Sequence, residues 1–241
     1  MNSKGKYIGL NQRIPFEVLD SAVDYFLEKN IIDKEYVYQK MKEFTSGPNR
    51  AKKATIYVVQ ILSRQKELLL KFKNTILNNS YISLNIEDRK GLCLCLISLT
   101  YPITYDLLVA LSQGFKVQNQ INKKFISEKV MSIYGSNRTV DIAIDALLPM
   151  IIELSTIKRD KISIYSFGTR LKIKSKTISE MIIYTDIKLS GSKSILIDDL
   201  IYKPWYAYFD ISELKNDTIN TFLLKKDSAV GTGYLTLKQF N

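Results

Sequence analysis

The chain has 241 residues, 46% hydrophobic and 24% charged, a balance that excludes a disordered chain and fits an ordinary folded protein. Its 35 Lys and Arg against 24 Asp and Glu give a formal net charge of +11, which favours a polyanionic partner. Histidine is absent, which removes Ser-His-Asp and Cys-His nucleophilic sites, His-ligated zinc and the commonest general base together.

Two features temper the charge argument and the hydropathy profile. The basic residues are 28 Lys to only 7 Arg, in a chain also rich in Ile and Asn, a profile that an AT-rich coding sequence produces by itself. The stretch from Gly91 to Leu111 carries Asp106 as its sole charge and is long enough to cross a bilayer. Pro102 beside Tyr101 and Thr104 instead predicts two buried helices meeting at a bend, because Asp106 is costly in lipid. Met1 to Lys6 is charged with no apolar run behind it, which predicts no signal peptide. Cys93 and Cys95, at i, i+2, diverge on a helix and predict reduced thiols in a cytoplasmic protein.

Residues 1–160 read as a helical body. Glu17 to Lys29 and Asp33 to Phe44 carry apolar residues at three- and four-residue spacing, and Ser46-Gly47-Pro48-Asn49 breaks the chain. A long helix follows over Arg50 to Leu77, with Ala54, Val58, Ile61, Leu62, Leu69, Phe72 and Ile76 as its stripe, and Asn78-Asn79-Ser80 closes it. Asn85 is placed to cap the next helix, with Glu87 and Asp88 in its acidic first turn. That helix runs to about Leu99 and another spans Pro102 to Gly114. Lys124 to Tyr134 and Arg138 to about Leu154 then flank the turn Gly135-Ser136-Asn137, with Pro149 expected to kink the second.

Residues 161–241 change texture. Lys161 to Tyr165 and Arg170 to Lys176 alternate polar and apolar with period two, and Phe167-Gly168-Thr169 between them predicts a β-hairpin turn. Ile178 to Tyr184 fits helix or strand, and Tyr234 to Phe240 fits a strand, so the tail reads as α+β. The expected fold class is therefore mainly α, a helical bundle with a winged-helix-like segment and a small α+β C-terminal part.

Two helices followed by a hairpin have the order of a winged helix-turn-helix. On the second helix Val140, Ile144, Leu147, Leu148 and Ile151 fall inward, while Arg138 shares the outward face with Asp141 and Asp145. Two carboxylates aimed at phosphates repel them, so this helix is a poor reader of a major groove. The hairpin is the better candidate: Arg170, Lys172, Lys174 and Lys176 share one strand face, and Lys158, Arg159 and Lys161 extend it. Lysines on an exposed edge strand also prevent edge-to-edge pairing, which explains the same pattern without DNA. Arg50, Lys52 and Lys53 form a second basic group at the start of the long helix. Trp205, Tyr206, Tyr208 and Phe209 fit either base stacking or, more simply, a core. Asp186-Ile187-Lys188 mimics half of a metal-dependent nuclease motif, Asp198-Asp199 has no matching glycine spacing, and Gly231-Thr232-Gly233 lacks the Lys-Ser/Thr of a phosphate loop.

Three strings carry a family likeness: Asn49-Arg50-Ala51-Lys52-Lys53-Ala54 opening a long helix, Ile86-Glu87-Asp88-Arg89-Lys90-Gly91-Leu92 leading to Tyr101-Pro102, and Ser136-Asn137-Arg138-Thr139-Val140 before a Leu-rich helix. In this order of elements, over about residues 15 to 165, the chain resembles BrxA, the A component of bacteriophage-exclusion (BREX) defence systems, whose helical body is similar to the antitermination factor NusB. The resemblance implies a NusB-like helical bundle, a non-enzymatic accessory role without a cofactor or metal, and binding of double-stranded DNA, with RNA as the other candidate. By resemblance Arg50, Lys52, Lys53 and Arg138 become contact candidates, and the partners include other subunits of a defence complex. The tail after Thr177 exceeds the typical member. The rival expectation is a protein–protein scaffold of a defence or RNA-processing complex; a third is a nuclease using Asp186 and Lys188.

Overall fold

Local capping chemistry sets most of the helix boundaries. The computed structural model describes residues 7–76, 80–211, 222–227 and 233–238; the expectations for Met1–Lys6, Asn78-Asn79, Gly231-Thr232 and Phe240 lie outside these residues. Helix α1 (Phe16–Lys29) ends where Asn30 turns left-handed at φ 58° and donates its N–H to the Phe26 carbonyl. Helix α2 (Lys34–Phe44) starts under Asp33, whose carboxylate accepts from Tyr36 N at 3.0 Å. Both match the spans read from periodicity.

The single long helix expected from Arg50 is two helices, α3 (Pro48–Arg64) and α4 (Lys66–Thr75). At Gln65 the backbone leaves the helical region, with φ −103° and ψ 15°. Gln65 Nε2 donates to Thr100 Oγ1 at 3.2 Å and the Arg64 guanidinium to the Thr100 carbonyl at 3.3 Å. These tertiary bonds sit at the break, where apolar periodicity carries straight on.

Helix α5 (Ile86–Thr100) is capped by Asn85, whose side-chain oxygen accepts from Glu87 N at 2.9 Å and Asp88 N at 2.8 Å. It is buried on every side from Gly91 to Ser98. Leu92, Leu94 and Leu96 are fully enclosed, each contributing about 1.5–3 kcal/mol of burial. Helix α6 (Ile103–Phe115) meets it at 115°, the bend expected at Pro102, and among the described residues no single helix is long and apolar enough to cross a membrane.

After α6 come β1 (Gln120–Asn122), α7 (Lys123–Tyr134), α8 (Arg138–Glu153), β2 (Ile157–Lys161) and β3 (Ile164–Phe167). Helix α8 continues through Pro149. The three strands form an antiparallel sheet in the order β1-β3-β2, which leaves β2 at an edge. Strand β4 (Leu171–Lys172) precedes α9 (Lys176–Ser190), which resolves the helix-or-strand ambiguity at Ile178 in favour of helix.

The tail adds β5 (Ser194–Leu196), 3₁₀ turns at Ile197–Tyr202 and Pro204–Tyr208, β6 (Phe209–Asp210), β7 (Leu224–Asp227) and β8 (Tyr234–Leu237). Strands β4 and β6 pair in parallel, and β5-β8-β7 form a second antiparallel sheet. The fold is thus mainly helical with small sheets. Helix α9 packs against α5 beside Gly91, where a Cβ would lie 3.4 Å from Ile178 Cγ2 of α9 and 3.0 Å from Ile173 Cδ1 just before it. Asp88 at the start of α5 accepts from Lys174 N and Ser175 N at 3.0 and 3.1 Å, so one apolar core runs from Leu19 through Leu94 and Ile182 to Trp205 and Leu235.

Candidate nucleic-acid interface

A hairpin exists, but one strand earlier in the chain than the alternation implied, pairing Ile157–Lys161 with Ile164–Phe167. Strand β2 carries Lys158, Arg159 and Lys161, all exposed, and pairs with β3 so that Lys158 lies opposite Ser166 and Arg159 opposite Tyr165. The reversal falls at Ile162-Ser163, where Ser163 adopts φ 61°, and not at Phe167-Gly168-Thr169. Gly168 continues the pairing instead: its N–H donates to Thr156 O at 2.9 Å and Thr169 N to Ser155 O at 2.8 Å. A Cβ on Gly168 would fall on the Ser155 carbonyl oxygen and 2.7 Å from Thr156 C. The glycine is therefore required by backbone contact, which a sequence cannot distinguish from a turn requirement.

The four-residue basic strand face consequently does not form. Arg170, Lys172 and Lys174 lie on an extended segment through β4, exposed while Leu171 and Ile173 are buried, so the partition into a basic and an apolar side is correct. Lys176 is the first residue of α9, capped by Ser175, and leaves that face. The segment pairs with β6 and docks on Asp88, whose carboxylate interacts with Lys174; it is no part of the β2–β3 hairpin.

What the hairpin does hold is well braced. Asp160, at a bulge between Arg159 and Lys161, accepts from Ser166 Oγ and Gln120 Nε2 at 2.8 Å each, tying its carboxylate across all three strands. Phe167 stacks on Tyr208 at 5.7 Å and meets Phe115 edge-on at 5.9 Å, while Tyr208 donates to Leu108 O at 2.8 Å. Lys123 N donates to Ser163 O at 2.8 Å, fixing the hairpin tip to the start of α7. Among the described residues no carboxylate forms an ion pair with Lys158, Arg159 or Lys161.

Helix α8 presents the faces expected of it: Val140, Ile144, Leu147, Leu148 and Ile151 are buried, and Arg138 is exposed beside the Asn137 cap. Its outward acidity is smaller than the sequence implies, because Lys123 Nζ pairs with Asp145 at 2.5 Å. A shallow groove of about 600 Å³ runs between α7, Asp141 and Ser163. Ser163 at the hairpin tip, Lys123 and Asp141 thus border one groove, on elements packed against one another. Arg50, Lys52 and Lys53 are also exposed, but α3 rests on α1, α2 and α5 whereas the hairpin rests on α8. The structure does not merge the two clusters.

The remaining candidates are structural. Asp186 lies in α9, buried, and accepts from Tyr105 Oη at 2.6 Å, Lys203 Nζ at 2.6 Å and Tyr206 Oη at 3.3 Å. Burial and that carboxylate push the Tyr105 and Tyr206 hydroxyls well above the usual tyrosine range. Among the described residues no cluster of three Asp, Glu or Cys side chains could hold a metal. Trp205, Tyr206, Tyr208 and Phe209 are core, on a 3₁₀ turn leading into β6. Cys93 and Cys95 are free and buried, and desolvation pushes the Cys95 thiol up to about 12, which leaves it unreactive.

Sequence reasoning missed Ile162 and β1. Ile162 is 83% exposed at the hairpin tip, yet its place in an alternating run suggested an inward strand position. The apolar Ile121 between polar neighbours was the available signal for β1. No family model matches the chain, and comparison with curated proteins and with solved structures returns no match.

Proposed function

We propose that the chain is a cytoplasmic, non-enzymatic protein that binds double-stranded DNA through the β2–β3 hairpin and the start of α8, serving as an accessory component of a BREX-type defence system. The observation that carries the reading is the succession α6-β1-α7-α8-β2-β3 with sheet order β1-β3-β2 and three exposed cations on the edge strand that form no ion pair among the described residues. This succession supports reading the segment as a winged helix-turn-helix, with α8 as its second helix and β2–β3 as its wing. Lys158, Arg159, Lys161 and Arg138 supply phosphate contacts, which position the protein without reading sequence. Ile162 is exposed at the hairpin tip, the type of apolar side chain that minor-groove binders lay against sugars and bases. The NusB-like likeness of the helical body, with Arg50, Lys52 and Lys53 as a further basic face, supports the defence-system assignment.

The test is equilibrium binding to a labelled duplex across a salt series. Four neutralised phosphates give log K a slope of about −3.6 against log salt. Absence of binding at low salt removes this reading and leaves the scaffold, with a charge that is largely compositional.

A further inference from the structure

The turn of the β2–β3 hairpin carries a side chain that neither turn geometry nor core packing requires. Lys161 pairs with Ile164, so Ile162 and Ser163 alone complete the reversal. Tight turns are dominated by Gly, Pro, Asn, Asp and Ser, each for a backbone reason that isoleucine does not share. Ile162 is nonetheless there, and at 83% exposure its apolar surface stays in water.

The tip that carries it is held in place. Ser163 O accepts from Lys123 N at 2.8 Å, which ties the turn to the first residue of α7. Asp160, two residues before Ile162, accepts from Ser166 Oγ and Gln120 Nε2 at 2.8 Å each, so its carboxylate spans the three strands. Those bonds occupy the one carboxylate of β2, whose Lys158, Arg159 and Lys161 are all exposed. In the groove beside Ser163, Glu128 and Asp141 are balanced by Lys123 and Lys124. An apolar side chain thus stands at the end of a braced ribbon that is otherwise cationic.

The widths of ribbon and groove govern how such a tip meets a duplex. Paired strands lie about 4.8 Å apart axis to axis, and their own backbone atoms make the ribbon wider than the roughly 6 Å minor groove of B-DNA. The ribbon therefore enters that groove only where it is opened. Opening accompanies the unstacking of a base step, which offers the apolar faces of the bases to Ile162.

We infer that the hairpin tip is a wedge: Ile162 enters an unstacked base step from the minor groove and kinks the bound duplex, so that the preferred substrate is DNA that unstacks readily. That class comprises duplexes with mismatched pairs or pyrimidine–purine steps, TA above all, over stiff A-tracts. The inference rests on the duplex-binding reading. It adds a selectivity that phosphate contacts lack, since Lys158, Arg159 and Lys161 meet every duplex alike.

The test uses the full chain and three end-labelled duplexes of about 20 bp, alike except for a central A-tract, TA step or two-base mismatch. Anisotropy reads affinity, and energy transfer between the labelled ends reads the bend. The wedge predicts binding of the mismatched duplex at least about tenfold tighter than of the A-tract, the TA duplex between them, and a shortened end-to-end distance in the complex. Ile162→Ser brings the three affinities to within about threefold of one another and abolishes the bend, whereas Ile162→Leu keeps both. The position is exposed, so neither variant touches the core, and melting temperature verifies folding. Equal affinity for the three duplexes with no bend overturns the inference and leaves the duplex-binding reading standing. A preference or bend that survives Ile162→Ser also overturns it. No binding of any duplex removes the reading and the inference together.

Discussion

Reversing Lys158 and Arg159 to Glu isolates the hairpin's contribution. Both side chains are exposed on an edge strand and make no ion pair among the described residues, so the exchange removes no packing contact. A cation about 4 Å from a phosphate gains about 1 kcal/mol in a water-like dielectric, and reversing its sign changes that by about 2 kcal/mol. Two reversals sum to about 4 kcal/mol at low salt, less under screening at ordinary ionic strength, which corresponds to about 10²–10³-fold weaker binding. The salt slope falls at the same time from about −3.6 to about −1.8, since two of four phosphate contacts are lost. Fluorescence anisotropy of a labelled duplex, with circular dichroism to confirm folding, reads both quantities. Lys172→Glu with Lys174→Glu is the matched control, equal in charge but placed on β4 and the segment after it that docks on Asp88. Loss of binding in the control equal to or greater than that in the hairpin variant refutes the placement of the interface.

Other consequences follow from buried groups. Glu180 accepts from Leu223 N and Leu224 N at 2.7 and 2.8 Å while its Oε2 has no partner among the described residues, and burial raises its pKa. A carboxyl whose folded pKa lies above its unfolded value binds more protons when folded, so its stabilising contribution is complete below the unfolded pKa and is lost as pH rises through the raised one. Glu180→Gln should therefore flatten the rise in melting temperature on acidification from neutrality; an unchanged pH profile counts against that role. Gly168→Ala should destabilise by about 1–3 kcal/mol in urea unfolding, because the added Cβ meets backbone atoms; a neutral result contradicts the close approach. Asp186→Ala should lower stability by about 3 kcal/mol by stripping a buried ion pair, with no DNA cleavage by the parent chain in magnesium or manganese. Metal-dependent cleavage abolished by Asp186→Ala with stability intact would restore the nuclease reading.

The helical body was readable because its signals are local. Asp33, Asn85 and Asn137 cap where their side chains allow, and the stripe on α8 is buried as its period requires. The break at Gln65 was not readable, because it coincides with bonds to Thr100, thirty-five residues away in sequence. The hairpin was displaced for a related reason. A glycine marks either a turn or a close backbone approach, and only the neighbouring Ser155 carbonyl shows which. The true turn rests on Ser163 at positive φ, a conformation serine rarely adopts, so no turn residue announces it. Lys176 was lost to α9 because alternation and a helix start share the same few residues.

The most direct measurement places a photo-crosslinking amino acid at Ile162, at Lys174 and at Lys52 in separate variants and irradiates each with duplex DNA. The hairpin account predicts a covalent DNA adduct from position 162 and none from position 174. An adduct from 52 or 174 with none from 162 would contradict it and move the interface off the hairpin.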